Sequence, residues 1–257
     1  MALVVKEPLR VEDDSSLATY NQEKASADRI TATNIGGRPA VKFYRHYTDA
    51  VVNSGKRCEL KRDVWSHERA MSGMYTQWTS LYLPREWEAK LPFLNGDFSN
   101  GQSLYYCHLQ QWAAATGVTG SGVPPFTLTL WHEGIGVWDW VTNDDPYGPI
   151  VLAKWAPVYD RWIDIVVEAK WRAHGGGLFR MCFDGKWVVY RNTKTVPEGS
   201  TQGPKWGEGM YWGAGEYPFE DGCTVYKAGY KLMHGYGNGF PQTGVAARPS
   251  PLADRVL

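Results

Sequence analysis

The sequence predicts an all-β sandwich of antiparallel sheets, and three observations carry that expectation. Short segments rich in Val, Ile, Thr, Tyr and Trp recur along the chain with period-two alternation, the pattern of half-buried strands. Gly- and Pro-containing stretches separate them, and Asp184-Gly185 falls between two apolar runs, where a tight hairpin turn needs positive φ. Helical periodicity is almost absent, which argues against alternating βαβ units. With 257 residues and 43% hydrophobic content the chain is long enough for one large core. Neither an internal repeat nor a break in composition marks a second domain.

Taken in order, residues 1–35 are polar and weakly periodic and read as an N-terminal arm with a leading strand. Residues 36–236 form the sandwich, and residues 237–257, rich in Gly, Pro, Ala and Arg, read as a tail. Residues 40–47 make the first convincing strand. Residues 55–62 alternate cleanly, with Arg57, Glu59 and Lys61 on one face and Cys58, Leu60 and Arg62 on the other. The strand over 74–83 is stopped by Pro84, and residues 84–88 read as a turn. Residues 103–112 alternate again, which puts His108 and Gln110 on one face. Beyond a Gly/Ser/Pro loop, Phe126, Leu128 and Leu130 face one way, and Thr127, Thr129 and Trp131 the other. The stretch from Glu133 to Trp155 is expected to be a long loop. Residues 160–172 form a strand, residues 178–190 the hairpin, and residues 209–217 and 223–233 the last two strands.

Charge and composition exclude several classes. Basic and acidic residues balance at 27 each, with a pI near 7.0, so no global field favours nucleic acid or a membrane surface. An acidic ligand would need positive charge local to a cleft. The 13 Trp, 15 Tyr and 8 Phe either fill the core or line a groove whose rings stack on sugars. Cys58, Cys107, Cys182 and Cys223 each sit in an expected strand without CxxC or Cys/His spacing, so buried free thiols are expected and structural zinc is not. Residues 1–8 lack a basic region followed by a long apolar stretch, and no segment reaches membrane-spanning length. The expectation is a protein acting outside the cell, either a phage virion protein released by lysis or a secreted protein whose leader has been removed.

Six segments, in collinear order over about residues 40–235, resemble the jelly-roll polysaccharide lyases, a group that includes heparin lyase I-type enzymes, glucuronan lyases and alginate lyases. They are Arg57-Cys-Glu-Leu-Lys-Arg62, Met74-Tyr-Thr-Gln-Trp-Thr-Ser-Leu-Tyr-Leu-Pro84, Tyr106-Cys-His-Leu-Gln110, Trp162-Ile-Asp-Ile-Val-Val-Glu-Ala-Lys-Trp171, the Asp184-Gly-Lys hairpin and Tyr211-Trp-Gly-Ala-Gly-Glu-Tyr217. Two departures stand out. The family's Gln-x-His appears as His108-Leu109-Gln110, and Gly213 replaces a lysine of the last motif. The resemblance implies a concanavalin-like β-jelly-roll of two antiparallel sheets with a concave substrate cleft. It also implies cleavage of a uronic-acid polysaccharide by β-elimination, among glucuronan, alginate, heparin-like and bacterial capsular or exopolysaccharides.

Such a reaction needs a group to neutralise the uronate carboxylate, a base for the C5 proton and an acid for the leaving oxygen. Arg57 suits the first task through paired hydrogen bonds, with Gln110 sharing the contact and Glu59 orienting Arg57 or a nearby tyrosine. His108 is a candidate base and Tyr217 a candidate acid; alternatively Tyr217 performs both transfers while His108 holds the substrate. Lys61 shares the face of Arg57, and Trp131 and Tyr211 are rings for sugar stacking or for the core. No cofactor is expected; Asn143-Asp144-Asp145 supplies oxygens either for a structural calcium or for an Asx turn before Pro146. The expected partner is an acidic polysaccharide, with no nucleic acid and no membrane. Two competing functions are a non-catalytic carbohydrate-binding sandwich and a glycoside hydrolase. The latter needs paired carboxylates on one strand face, whereas Glu216 and Glu220 are split by Pro218.

Overall fold

A computed structural model of the chain describes residues 21–52, 56–62, 73–94, 106–113, 124–140, 150–192, 194–201, 203–212 and 219–234. Fourteen strands among these residues, numbered along the chain, build two seven-stranded sheets with antiparallel pairing between neighbours. The first sheet runs β1 (Asn21–Lys24), β4 (Lys56–Arg62), β13 (Lys205–Trp212), β6 (Cys107–Ala113), β7 (Phe126–Trp131), β8 (Gly134–Asp139) and β9 (Ile150–Trp155). The second runs β12 (Lys186–Arg191), β11 (Leu178–Phe183), β10 (Trp162–Lys170), β5 (Tyr75–Tyr82), β14 (Cys223–His234), β3 (Arg38–Arg45) and β2 (Ile30–Ile35). Such long-range pairings are what the alternating segments require, because each strand has one apolar face to cover.

The sheets meet across one aromatic core. Phe126 of β7 stacks on Phe179 of β11 at 3.9 Å, and Trp112 of β6 meets the same ring edge-on at 5.1 Å. The Trp112 indole N–H donates to Gln77 Oε1 of β5 at 2.9 Å, so this buried ring also has its polar atom satisfied. Each such side chain removed from water contributes about 2 kcal/mol. All four cysteines are buried free thiols, as expected, and burial pushes the Cys58 and Cys107 thiols well up. The core also holds charge. Glu208 of β13 and Lys227 of β14 face each other from opposite sheets, and burial raises the Glu208 carboxyl while lowering the Lys227 ammonium.

Two expectations are corrected here. Residues 133–155 are not one loop, because β8 and β9 occupy its two ends. Every residue of β8 is buried, on both faces, so the polar alternation that marks a half-exposed strand is missing. Residues 84–88 are more than a turn: they lead into a short helix, α1 (Glu86–Lys90), started by the Trp87 N–H donating to Pro84 O at 3.1 Å. Trp87 lies parallel to Trp212 at the end of β13 (6.3 Å) and edge-on to Phe219 (6.1 Å). Its indole N–H donates to Thr224 O of β14 at 2.7 Å. Lys90 reaches Asp221 in the turn that precedes β14. The helix thus ties the end of β13 to the start of β14. The turn expected at Glu220-Asp221-Gly222 is present, closed by Gly222 N–H to Phe219 O. The hairpin expected at Asp184-Gly185 is also present, with φ of 52° and 80° at those residues.

Beside the candidate residues, the first sheet breaks regular alternation at Leu109. Between β13 and β6, Glu208 opposes Gln110 and Tyr211 opposes His108, so Gly209 and Met210 face the single residue Leu109. Between β6 and β7, His108 opposes Thr129 and Gln110 opposes Leu128, leaving Leu109 as the extra residue. Gly209 takes φ of +135°, and a Cβ there would lie 2.1 Å from Cys58 O and 2.8 Å from Phe43 Cδ1. Backbone that close leaves no room for a side chain. Gly209→Ala is therefore expected to destabilise the fold by about 3 kcal/mol in urea unfolding, at unchanged strand content by circular dichroism of the folded fraction.

Candidate active site on the outer face of the first sheet

On the face of the first sheet turned away from the core, three adjacent strands bring three candidate residues abreast. Arg57 of β4 opposes Tyr211 of β13, which opposes His108 of β6. The Arg57 guanidinium lies 4.3 Å from the centre of the Tyr211 ring, and His108 stacks near-parallel to that ring at 5.7 Å and 20°. Tyr211 is therefore a plate between a cation and an imidazole. Strand alternation places this row: Cys58, Leu60 and Met210 on the same strands point into the core.

Arg57 is held from below by Glu59, one step along β4. Its Nη1 donates to Glu59 Oε2 at 3.3 Å, with the Arg57 side chain 14% exposed and that of Glu59 1%. Glu59 Oε1 accepts from Gln111 Nε2 of β6 at 2.6 Å. That bond spans the intervening strand β13, which presents Gly207 and Gly209 at these levels and so no side chain. Gln111 was not among the sequence candidates. The bulge at Leu109 turns it onto this face and turns Gln110 off it.

Gln110, expected beside His108, instead opposes Leu128 and Glu208, both of which point between the sheets. The extra residue at Leu109 reverses the side on which every later residue of β6 emerges. Simple counting by twos could not show this.

His108 is 2% exposed and sits in an aromatic enclosure of Tyr106, Trp138, Trp140 and Tyr211, with ring centres 4.7 to 6.2 Å away. Its Nδ1 lies 2.7 Å from Thr129 Oγ1, which is 2.9 Å from Thr127 Oγ1, which accepts from Trp140 Nε1 at 3.3 Å. An indole N–H only donates, so a chain of bonds running one way from Trp140 ends with Thr129 donating to Nδ1. This polarity favours the tautomer with its proton on Nε2. Burial, aided by the Arg57 charge, drives the His108 pKa down to about 3. Burial likewise raises the neighbouring Tyr106 phenol to about 12.

Trp131 is 2% exposed, packed edge-on against Trp138 at 5.5 Å with its N–H on Glu133, so it supports the enclosure rather than offering an open ring. Tyr211 is half-buried in the row just described. Lys61 lies on β4 opposite Gly207; its side chain, like Tyr217 and Asn143-Asp144-Asp145, lies outside the described residues. The segment that carries Tyr217 begins after Trp212 and ends before Phe219, and both of these rings pack on Trp87 of α1.

Because His108 stays neutral in the fold, the unfolded chain binds a proton on acidification that the native state does not. Stability is therefore lost as pH falls below about 6.5, the ordinary imidazole value. Between pH 7 and pH 5 the wild type is expected to lose about 2 kcal/mol more than His108→Gln, measured by urea unfolding of both at each pH.

Residues 11–226 match the family described as polysaccharide lyase. Among curated proteins none matches the sequence significantly. Similar solved structures include an endo-β-1,4-glucuronan lyase from the fungus Trichoderma reesei, 14% identical, with a TM-score of 0.56 over 83% of this chain and 93% of that one. An alginate lyase from Chlorella virus is 14% identical, with a TM-score of 0.55 over 90% and 100% of the two chains. An alginate lyase from Aplysia kurodai is 12% identical, with a TM-score of 0.55 over 81% and 88%. These likenesses concern the fold, a two-sheet jelly-roll sandwich, and none of the helices among the described residues is long and apolar enough to cross a membrane. With the family match spanning most of its length, the chain belongs to the polysaccharide lyases.

Proposed function

We propose that the protein cleaves a uronic-acid polysaccharide outside the cell by β-elimination, leaving an unsaturated uronate at the new end. The observation that carries this reading is the Arg57 guanidinium, fixed on the outer face by Tyr211 and Glu59 while still reachable from solvent. A hydrolase needs two carboxylates flanking a glycosidic bond. In this row a cation, a phenol and a neutral imidazole stand instead, and among the described residues the carboxylate beside them, Glu59, is buried beneath Arg57. A uronate polymer is also the kind of substrate named for the similar glucuronan and alginate lyases.

In this reading Arg57 pairs with the uronate carboxylate and stabilises the negative charge that builds there as C5 loses its proton. The electrons of the C5–H bond form the C4–C5 double bond, and the C4–O bond breaks. The departing oxygen takes up a proton. Tyr217, close in sequence to the end of β13, is assigned both transfers, as phenolate toward C5 and as phenol toward the leaving oxygen. His108 is assigned a supporting role. An imidazole whose conjugate acid has a pKa of about 3 is poorly matched to removing a weakly acidic proton near neutral pH, whereas its neutral ring firmly backs the Tyr211 plate. No cofactor takes part in the reaction so written.

The test is ultraviolet absorbance of the new conjugated double bond after incubation with alginate, polyglucuronate and heparin-like polymers. Wild type is expected to produce it on at least one. Tyr217→Phe should lower kcat by about 10³-fold with little change in thermal midpoint, and Arg57→Ala should lower kcat/KM by about 10²-fold or more while also lowering the midpoint, because it leaves buried Glu59 without its cation. Binding of the polymers without any new absorbance, or near-wild-type rates in both variants, would identify a carbohydrate-binding sandwich or a different site.

A further inference from the structure

The face of the second sheet turned away from the core carries chemistry that the catalytic row does not use. Alternation sends Ile163, Leu81, Val225 and Val41 inward, so Trp162 of β10, Tyr82 of β5, Tyr226 of β14 and Lys42 of β3 emerge on the opposite side. Their registers set them abreast: Trp162 opposes Tyr82, Tyr82 opposes Tyr226, and Tyr226 opposes Lys42. Across four adjacent strands such a row is about 14 Å long. The three rings meet edge to face, with centres 5.5 and 5.7 Å apart, and each is half-buried.

Arg38, at the start of β3, brings a second cation to this row. Its guanidinium lies 4.8 Å from the centre of the Trp162 ring and 5.6 Å from that of Trp78, and its Nη2 donates to Ser80 Oγ at 2.6 Å. Ser80 in turn donates to Asp164 Oδ1 at 2.5 Å, and that oxygen lies 3.8 Å from Arg38 Nη2, beyond hydrogen-bond length. The Arg38 side chain is 32% exposed, so its charge is fixed in place and reaches water. A guanidinium against an aromatic ring thus recurs on the far side of the sandwich, as Arg57 and Tyr211 stand on the first sheet.

We propose that this row, from Arg38 and Trp162 to Lys42, is a second binding surface for an acidic polysaccharide, one that holds the polymer without cleaving it; the choice of polymer rests on the lyase reading. Sugar rings present C–H faces that pack on aromatic side chains, and the repeated carboxylates of a uronate chain match a guanidinium near one end of the row and an ammonium at the other. The acids beside the row are engaged from within the fold, Asp164 by Ser80 and Glu86, which acts on Tyr226, by the Thr224 N–H at 2.7 Å. Three half-buried rings side by side form a patch, whereas apolar residues scattered singly on a surface need no explanation. A long chain held here stays near the catalytic row and is concentrated there, while a short oligomer gains nothing.

The test compares wild type with Arg38→Gln/Lys42→Gln, which removes both charges, and with Tyr226→Ala and Tyr226→Phe. In affinity gel electrophoresis on polyglucuronate and on alginate, the double variant should bind at least one polymer about tenfold more weakly, and wild-type affinity should fall as salt rises. Tyr226→Ala should lose about fivefold and Tyr226→Phe should keep wild-type affinity, because the ring and not the hydroxyl makes the contact. Arg57→Ala should still bind polymer, and adding the double substitution should abolish that binding. On short oligouronates the double variant should keep kcat/KM within about twofold of wild type, while its KM on long polymer rises about fivefold or more. No wild-type binding to either polymer, unchanged affinity in the double variant, or equal retention of wild type by a neutral β-glucan would overturn the proposal. So would a dimer, seen by sedimentation, that the double variant loses with no change in polymer binding, since the face would then belong to a second copy of the chain. Wild-type protein that forms no unsaturated product sinks the lyase reading instead, and the affinity contrast then decides on this row alone.

Discussion

The arrangement of the site depends on how β13 is wedged between β4 and β6. Toward β4 its register is regular from Trp206 to Trp212; toward β6 it slips by one residue at Gly209 and Met210. A strand paired on both sides has no freedom to relieve such a mismatch by sliding, so a bulge absorbs it. The bulge needs a residue at φ of +135° against the Cys58 carbonyl, which only glycine supplies without strain. From that one accommodation follow the outward turn of Gln111, the inward turn of Gln110 and the level meeting of Arg57, Tyr211 and His108.

Burial then decides the chemistry of each member. His108 is enclosed by four aromatic rings, so burial expels its proton and the ring serves as a neutral plate that accepts at Nδ1 from Thr129. Arg57 is less enclosed and stays stacked on Tyr211, a contact that orients a guanidinium while leaving its edge for hydrogen bonds. The polar chain from Trp140 through Thr127 and Thr129 to His108 pairs the buried hydroxyls of β7 with the imidazole of β6. An aromatic wall on an outer sheet face would otherwise be a liability in water; here it excludes water from the row it surrounds.

The second sheet contributes at a distance. Through α1 it grips both flanks of the segment that follows β13: Trp87 touches Trp212 and Phe219, and its indole is bonded to β14. Between the sheets, Glu208 and Lys227 set opposite charges under the bulge, each discouraged by burial and supported by the other.

Much of the fold was legible in the residues themselves. Alternation placed Arg57 and Glu59 on one face of β4 and Cys58 and Leu60 in the core, and Thr127 and Thr129 opposite Phe126 and Leu128, because side-chain direction in an unbroken strand is a local property. The Asp184-Gly185 turn was legible for the same reason. β8 was not, since a strand buried on both faces shows no polar period. Neither was the exchange of Gln110 for Gln111, because a bulge arises from the mismatch between two partners and leaves no mark in either strand alone. The sequence by itself determined the sandwich, its lyase resemblance and the presence of Arg57, Tyr211 and His108. Only the tertiary structure decided that these three stand abreast, that the imidazole is uncharged and that Gln111 holds Glu59, since register, burial and contact are properties of strands packed together.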